Sequence, residues 1–368
     1  MNRMNRLSLF AAFTITVILA QSALAQDTAP KPWYTEIVVN GFVTSSYSYN
    51  LNTPDSRKNQ YRVFDYDDNS FKIDACELVF HKDAGAPGDA GFRIDLTAGS
   101  SMPAIARSAG LNGGDFDVQQ AYASYIAPIG RGLKIDAGKF VTHAGYELID
   151  GHDGYNDNAT RSFLFGYAIP FTHTGLRLGY GFTDAIGASL FLVNGWDVAV
   201  DNNRSKTVGA QLSLAASGGV TCFVNALYGP ERAGNNSDNR MLVDFCGTVA
   251  LSDLVTVGIN GDYGAEQRVL QGGGDARWMG VAAYLRLNLL ADFSLALRGE
   301  LFDDKDGVRT GTVQKLTGVT ITPEYRPAPG FVVRADLRLD SSDQEVFEKI
   351  DTPAKSQNTI CLNALFVF

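Results

Sequence analysis

From Phe331 to Asp340 the chain alternates almost without a break. Phe331, Val333, Ala335, Leu337 and Leu339 share one parity, while Arg334, Asp336, Arg338 and Asp340 hold the other, joined only by Val332. Successive side chains of a strand point to opposite faces, so this segment reads as a β-strand with one apolar and one charged face. The pattern returns along the chain. Phe92, Ile94, Leu96 and Ala98 alternate with Arg93, Asp95 and Thr97. Leu133, Ile135 and Ala137 alternate with Lys134 and Asp136. Leu176, Leu178, Tyr180 and Phe182 alternate with Arg177 and glycines. Phe293, Leu295, Leu297, Gly299 and Leu301 alternate with Ser294, Ala296, Arg298 and Glu300. Runs of about ten residues exceed the usual globular strand of about five or six and match the 9–11 needed to cross a bilayer. An arginine on the lipid face at mid-membrane costs about 2–4 kcal/mol, so the charged parity should face an enclosed lumen.

Applied throughout, this reading places strands near 36–49, 70–82, 90–100, 115–127, 133–144, 174–183, 186–195, 205–216, 219–229, 239–251, 254–264, 276–289, 292–303, 310–324, 331–341 and 356–368. The connections fall into two kinds. Thr183-Asp184-Ala185, Ala216-Ser217-Gly218, Ser252-Asp253, Leu290-Ala291-Asp292 and Pro327-Ala328-Pro329-Gly330 are tight, whereas 50–70, 144–173, 196–204, 230–238, 265–275, 304–309 and 341–355 are longer and polar. A soluble β-sandwich does not predict that alternation. It points to an all-β fold: a transmembrane antiparallel barrel of about 16 strands, with 18 the neighbouring count, short periplasmic turns, long extracellular loops and both termini in the periplasm.

The ends agree with this class. Arg3 and Arg6, an apolar run from Leu7 to Ala20, and Ala23-Leu24-Ala25 before Gln26 read as a signal peptide over 1–25. No cysteine follows the cleavage site, which argues against a lipoprotein anchor. Later segments hold no apolar run long enough for a membrane helix. The expected organisation is a signal peptide at 1–25, a periplasmic lead at 26–35, and a barrel at 36–368 in the Gram-negative outer membrane after Sec-type export. Losing Arg3 and Arg6 from 31 Lys+Arg against 40 Asp+Glu leaves the mature chain near −11, which argues against nucleic acid as a partner. At the other end Ile360, Leu362, Ala364, Phe366 and Phe368 share one parity. A terminal Phe on such a strand resembles the assembly signal of outer-membrane barrels, and implies contact with the barrel-assembly machinery.

Two stretches carry a more specific likeness. One is Asp117-Val118-Gln119-Gln120-Ala121-Tyr122, followed by Asp136-Ala137-Gly138-Lys139-Phe140-Val141-Thr142 and Gly145-Tyr146-Glu147. The other is Phe165-Gly166-Tyr167-Ala168-Ile169-Pro170-Phe171-Thr172-His173-Thr174-Gly175. Together with Phe368 they resemble the beta-barrel porin-2 (OmpL-like) family. The resemblance implies a Gram-negative outer-membrane barrel embedded in lipid and open to small solutes. By analogy with general 16-stranded porins, which are often trimers, it leaves a homotrimer open.

Function should then sit in the connection 144–173, far longer than a connecting loop needs to be. It carries Glu147, Asp150, His152, Asp153, Asp157, Arg161 and His173, and its tract Phe163–Phe171 is too apolar for a free loop in water. In general porins the third loop folds into the lumen. The expectation here is a constriction in which Glu147, Asp150, Asp153 and Arg161 face Arg93, Arg177, Arg298, Arg334 and Arg338 on the wall, filtering polar solutes by size and charge. Asp95, Glu300 and Asp336 alternate with those arginines at two-residue spacing and belong to the same lining. The leading reading is a passive diffusion channel for small polar or charged solutes; the alternatives are a closed structural or interaction barrel, and a barrel enzyme. With neither G-x-S-x-G nor H-E-x-x-H, no catalytic residue, cofactor or metal ligand is assigned. His152-Asp153 are neighbours in sequence, which does not make a dyad. Cys76, Cys222, Cys246 and Cys361 read as small buried fillers, Cys222 and Cys246 lying on opposite faces. In the second strand Phe71, Ile73 and Ala75 set one apolar parity, and Leu78 and Phe80 switch it; a β-bulge would restore the facing.

Overall fold

The computed structural model describes residues 32–108, 114–216 and 218–368. The expected signal segment 1–25, the first part of the 26–35 lead, and Ser217 of one expected turn lie outside the described residues. The chain divides into two units, Met1–Glu36 and Ile37–Phe368. In the first, Trp33–Glu36 forms a single 3-10 turn.

The second unit is a barrel. Its strands are β1 (Val38–Asn50), β2 (Ser70–Lys82), β3 (Ala90–Ala98), β4 (Phe116–Ala127), β5 (Leu133–Val141), β6 (Thr172–Gly181), β7 (Ile186–Val193) and β8 (Thr207–Ala216). They continue with β9 (Val220–Pro230), β10 (Asn239–Ala250), β11 (Val255–Glu266), β12 (Ala276–Asn288), β13 (Phe293–Asp304), β14 (Gln314–Ala328) and β15 (Phe331–Ser342). A small hairpin, β16 (Phe347–Lys349) and β17 (Thr352–Ala354), precedes β18 (Ser356–Val367). β16 and β17 pair only with each other; the other sixteen strands pair antiparallel in sequence order, and β18 inserts between β15 and β1 to close the ring. Gly41 and Phe368 exchange backbone hydrogen bonds of 2.8 and 3.0 Å at the seam. The tip of the Phe368 ring lies over Gly41, where a Cβ would stand 2.2 Å from it and would have to displace the ring.

The alternation has the predicted sense. On β15, Arg334, Asp336, Arg338 and Asp340 are buried inside, while Val333, Leu337 and Leu339 are about 40% exposed on the outside. In a membrane barrel that outer surface is the lipid face, so its exposure is a solvent match and not a packing defect. The β2 anomaly resolves as a bulge. Thr44 pairs with Ala75 and Ser45 with Ile73, leaving Asp74 as the extra residue. Phe71, Ile73 and Leu78 are thereby all exposed outside, and Glu77 is buried inside. A second bulge lies on β4, where Asp95 pairs with Gln120 and Leu96 with Val118, leaving Gln119 over.

Three expectations need correction. The strand expected at 310–324 runs Gln314–Ala328. Asp304 accepts bonds from the backbone of Arg309 and Thr310 (3.0 and 2.6 Å), and Gly307 and Gly311 take left-handed φ, so the preceding loop folds on itself and delays the strand. Its tight turn shrinks to Pro329-Gly330. His173 belongs to β6 and not to the long connection, which is 142–171. Cys76 is exposed on the outer face and Cys222 is only half-buried, so the buried-filler reading holds for Cys246 and Cys361 alone; all four cysteines are free. The connection after β3 also holds a short helix, α1 (Met102–Ser108), whose Met102 and Ile105 are fully buried against Phe42, Ala75, Val332 and Leu365 of the wall.

Candidate functional site

The 142–171 connection is pinned at its base. Thr142 donates to the carbonyl of Phe171 (2.9 Å), and the Asp197 carboxylate accepts from the backbone N–H groups of Phe171 and Thr172 (2.6 and 2.9 Å). Burial pushes the Asp197 carboxyl up to about 6. From that base the loop turns at Gly145, which sits at φ +96°, the left-handed region that favours glycine. The Gly145 N–H donates to Asp244 of β10 (3.0 Å) and its carbonyl accepts from Cys246 Sγ (3.4 Å). Tyr146 then stacks on Tyr284 of β12 with ring centroids 4.0 Å apart. It lies on Gly258 of β11, where a Cβ would come 2.4 Å from its hydroxyl.

Beyond Tyr146 the loop's carboxylates meet the wall's guanidinium groups directly. Glu147 accepts from Arg298 of β13 (2.6 Å) and, through its other oxygen, from the Ser162 N–H (2.7 Å), so it ties together two strands of the loop and the wall. Asp150 pairs with Arg161 of the loop (2.9 Å) and with Arg334 of β15 (3.0 Å). Asp153 pairs with Arg93 of β3 (2.6 Å), which also grips Asp95 (2.8 Å). Asp157 pairs with Arg286 of β12. Wall acids answer the loop backbone in turn. Asp336 accepts from the N–H groups of Ala159 and Thr160 (3.1 and 2.8 Å), Glu300 from Phe163 (2.5 Å), and Glu77 from His152 (2.7 Å). Arg338 donates to the Arg161 carbonyl. A desolvated N–H or charge must find a partner, and here the lumen wall and the loop itself share that task.

The apolar part of the loop has a corresponding bed. Leu164–Ala168 forms one π turn, and Phe163, Leu164 and Phe165 are buried with Trp196, Trp278 and Phe302. Trp278 donates to the Ala168 carbonyl (3.2 Å) and Arg309 to the Tyr167 carbonyl (2.6 Å). The tract that looked too hydrophobic for solvent is therefore inside the barrel.

The structure brings together Arg93, Asp95, Glu147, Asp150, Asp153, Arg161, Arg298, Glu300, Arg334, Asp336 and Arg338, and leaves Arg177 apart. Arg177 binds Asp136 (2.7 Å) and lies over Phe140, on the wall of β5 and β6. Arg298, Arg334 and Arg338 are at most 2% exposed, so they meet their acids in contact and not across an open gap. Sequence reasoning missed Arg286, Asp244 and Glu77. The first two stand on the lumen parity of their strands and were legible from it; Glu77 was masked by the bulge. It also missed Arg62 of the first long loop, fully buried on Asp340 (2.6 Å) and Asp65. No periodicity in that loop marks it.

Two lumen cavities flank the 143–148 arm. One of about 360 Å³ lies against β8–β12, beside Gln211, Phe223, Thr248 and Asp157. The other, about 300 Å³, lies against β2–β4, beside Glu77, Arg93 and Gln119. Gly145–Leu148 lines both. Among the described residues there is no group of three or more His, Cys, Asp or Glu side chains placed to hold a metal ion.

A family model described as "Putative beta-barrel porin-2, OmpL-like" matches residues 36–368. No curated protein sequence matches the chain. Among solved structures, the anion-selective porin from Comamonas acidovorans is similar over 90% of this chain and 99% of its own, with TM-score 0.63 and 9% identity. The outer membrane channel DcaP of Acinetobacter baumannii is similar over 90% and 97%, with TM-score 0.64 and 12% identity. A trimer form of Vibrio cholerae OmpT is similar over 90% and 99%, with TM-score 0.57 and 10% identity. At these identities the likeness speaks for the fold.

Proposed function

The chain belongs to the beta-barrel porin-2, OmpL-like family of the outer membrane, and from that premise we propose that it is a passive diffusion channel for small polar or charged solutes, with 142–171 as the constriction of its lumen. The observation that carries this reading is the path of the loop. It crosses from β5 to the walls of β2–β3 on one side and β10–β15 on the other, and leaves water-sized space on both flanks of its 143–148 arm. A lumen narrowed by side chains of both signs passes solutes by size and charge. In this reading Asp95, Asp153 and Arg93 border the path, while Glu147, Asp150, Arg161, Arg298, Glu300, Arg334, Asp336 and Arg338 hold the loop that sets its width. Arg177 borders the lumen away from the loop. The trimer form of the Vibrio cholerae structure makes a homotrimer a natural assembly to test, and Phe368 at the seam is the candidate contact for the assembly machinery.

The test is single-channel conductance of the reconstituted protein in a planar bilayer, with the reversal potential under a KCl gradient. Stepwise conductance supports the channel. Its absence from heat-modifiable, folded protein would favour a second reading, a closed barrel acting through its loops. One observation speaks for that alternative: the arginines under the loop are fully desolvated and the Phe163–Phe171 tract is packed as a plug.

A further inference from the structure

The cavity between the 142–153 arm and the β2–β4 wall is lined by four carboxylates, Glu77, Asp95, Glu147 and Asp153, and by a single guanidinium, Arg93. Glu147 is matched from outside the lining by Arg298. Arg93 is shared between Asp95 and Asp153. Glu77 has no ion-pair partner among the described residues; the bond it accepts is from the backbone N–H of His152 (2.7 Å). The lining therefore holds two carboxylates more than it has cations to pair with them. The same space has an independent vacancy for a donor. Gln119, the residue left over by the β4 bulge, is 3% exposed and lines the cavity, and its buried Oε1 has no hydrogen-bond partner among the described residues. The buried Nδ1 of His152, on the opposite side, is likewise unpartnered. A buried acceptor without a donor is left desolvated and unpaired, which an incoming N–H would relieve.

We propose that this cavity is a binding subsite of the solute path for small solutes that carry a protonated amine, with Glu77 taking the charge and Gln119 Oε1 accepting an ammonium hydrogen. The proposal rests on the channel reading above and names the solute class that the channel retains longest. Charge decides the class: an ammonium group supplies both the cation that Glu77 lacks and the donor that Gln119 lacks, whereas a carboxylate would add repulsion and a neutral polyol would satisfy only Gln119. The β4 bulge sets two successive side chains, Gln119 and Gln120, on the inner face beside this cavity.

The probe is putrescine, with 1,4-butanediol and succinate as neutral and anionic comparators of the same four-carbon length. Two readouts are taken on the reconstituted full-length barrel at neutral pH and low ionic strength: transient block of single-channel current, and equilibrium binding by calorimetry on the detergent-folded protein. Putrescine should block and bind at concentrations at least fivefold below either comparator. Glu77→Gln and Gln119→Leu should each weaken it at least fivefold while KCl conductance persists, and Gln119→Leu carries the test alone where Glu77→Gln fails to fold. Conductance with no preference for putrescine in either readout overturns the subsite and leaves the channel standing. Binding with no conductance overturns the channel and leaves the subsite. Retained putrescine preference in both variants overturns the assignment of Glu77 and Gln119.

Discussion

Glu147→Gln tests whether the loop is held in the lumen by its ion pairs. In the structure Glu147 Oε1 takes the 2.6 Å bond from Arg298, and its other oxygen takes the Ser162 N–H at 2.7 Å. Arg298 has a fully buried side chain; it also donates to the Thr160 carbonyl (2.6 Å) and Thr320 Oγ1 (3.0 Å) and stands 3.3 Å from Glu300. Removing one partner of a buried pair costs about 3–5 kcal/mol, mostly by stranding the other charge. Glu300 remains beside Arg298, which places the cost at the lower end, about 3 kcal/mol, or roughly two powers of ten in the ratio of docked to undocked loop. The barrel ladders carry no part of this interaction, so the loss falls on the loop alone. The expected outcome is faster hydrogen exchange across 145–163 with unchanged protection in β6–β11, and a larger or noisier single-channel conductance. Glu147→Leu combined with Arg298→Met removes both charges and should recover much of the protection that either single change loses. Wild-type exchange in Glu147→Gln would refute the reasoning, and would assign the docking to the apolar tract Phe163–Phe171.

Three further outcomes are expected. Gly264→Ala places a methyl 2.0 Å from the buried Trp278 ring that lies across it, and overpacking of this kind should lower barrel stability by about 1–3 kcal/mol in denaturant titration. Asp197 has its carboxyl raised to about 6 by burial from an ordinary 3.8, so its contribution to stability is complete below about pH 4 and is lost as pH rises through 6; relative to Asp197→Asn, the wild type should gain on the order of 3 kcal/mol between pH 8 and pH 4, and equal pH slopes for the two proteins would contradict this. Leu337→Arg puts a charge on the lipid face and should cost about 2–4 kcal/mol in refolding into bilayers, whereas Arg338→Leu, one residue away inside, should leave insertion intact and loosen the loop; similar insertion losses for both would contradict the facing of β15.

The fold was legible because a period of two reports facing residue by residue. On β13 and β15 the charged parity alone identifies Arg298, Glu300, Arg334, Asp336 and Arg338 as inward. The switch between Ala75 and Leu78 implied a bulge; the bulge is Asp74, one position earlier, and it turns Ala75 to the inner face. The Gln119 bulge went unread, since Gln119 and Gln120 are both polar and leave no break in the apolar series. The β14 boundary was misplaced for a local reason, the side-chain capping of the preceding loop by Asp304, which hydropathy does not register. That 144–173 turns into the lumen was inferred from its apolar tract and from the third loop of general porins. Which acid meets which arginine did not, because strand parity gives the face of a side chain but not what stands across the lumen. Arg62 on Asp340 joins residues 278 positions apart and had no sequence signal at all.

The closing seam has a consequence for biogenesis. β18 lies between β15 and β1, so Phe42 pairs with Val367 and Phe331 with Phe366. Every other strand can dock on its predecessor as the barrel assembles, but β1 has one bare edge until β18 is in place. A chain clipped before β18 therefore exposes two unpaired strand margins, at β1 and β15, together with a lipid-facing apolar skin. That is a species prone to edge-to-edge association and in need of escort across an aqueous compartment. Quality control that recognises unclosed margins would see this protein as unfinished until Phe368 reaches Gly41.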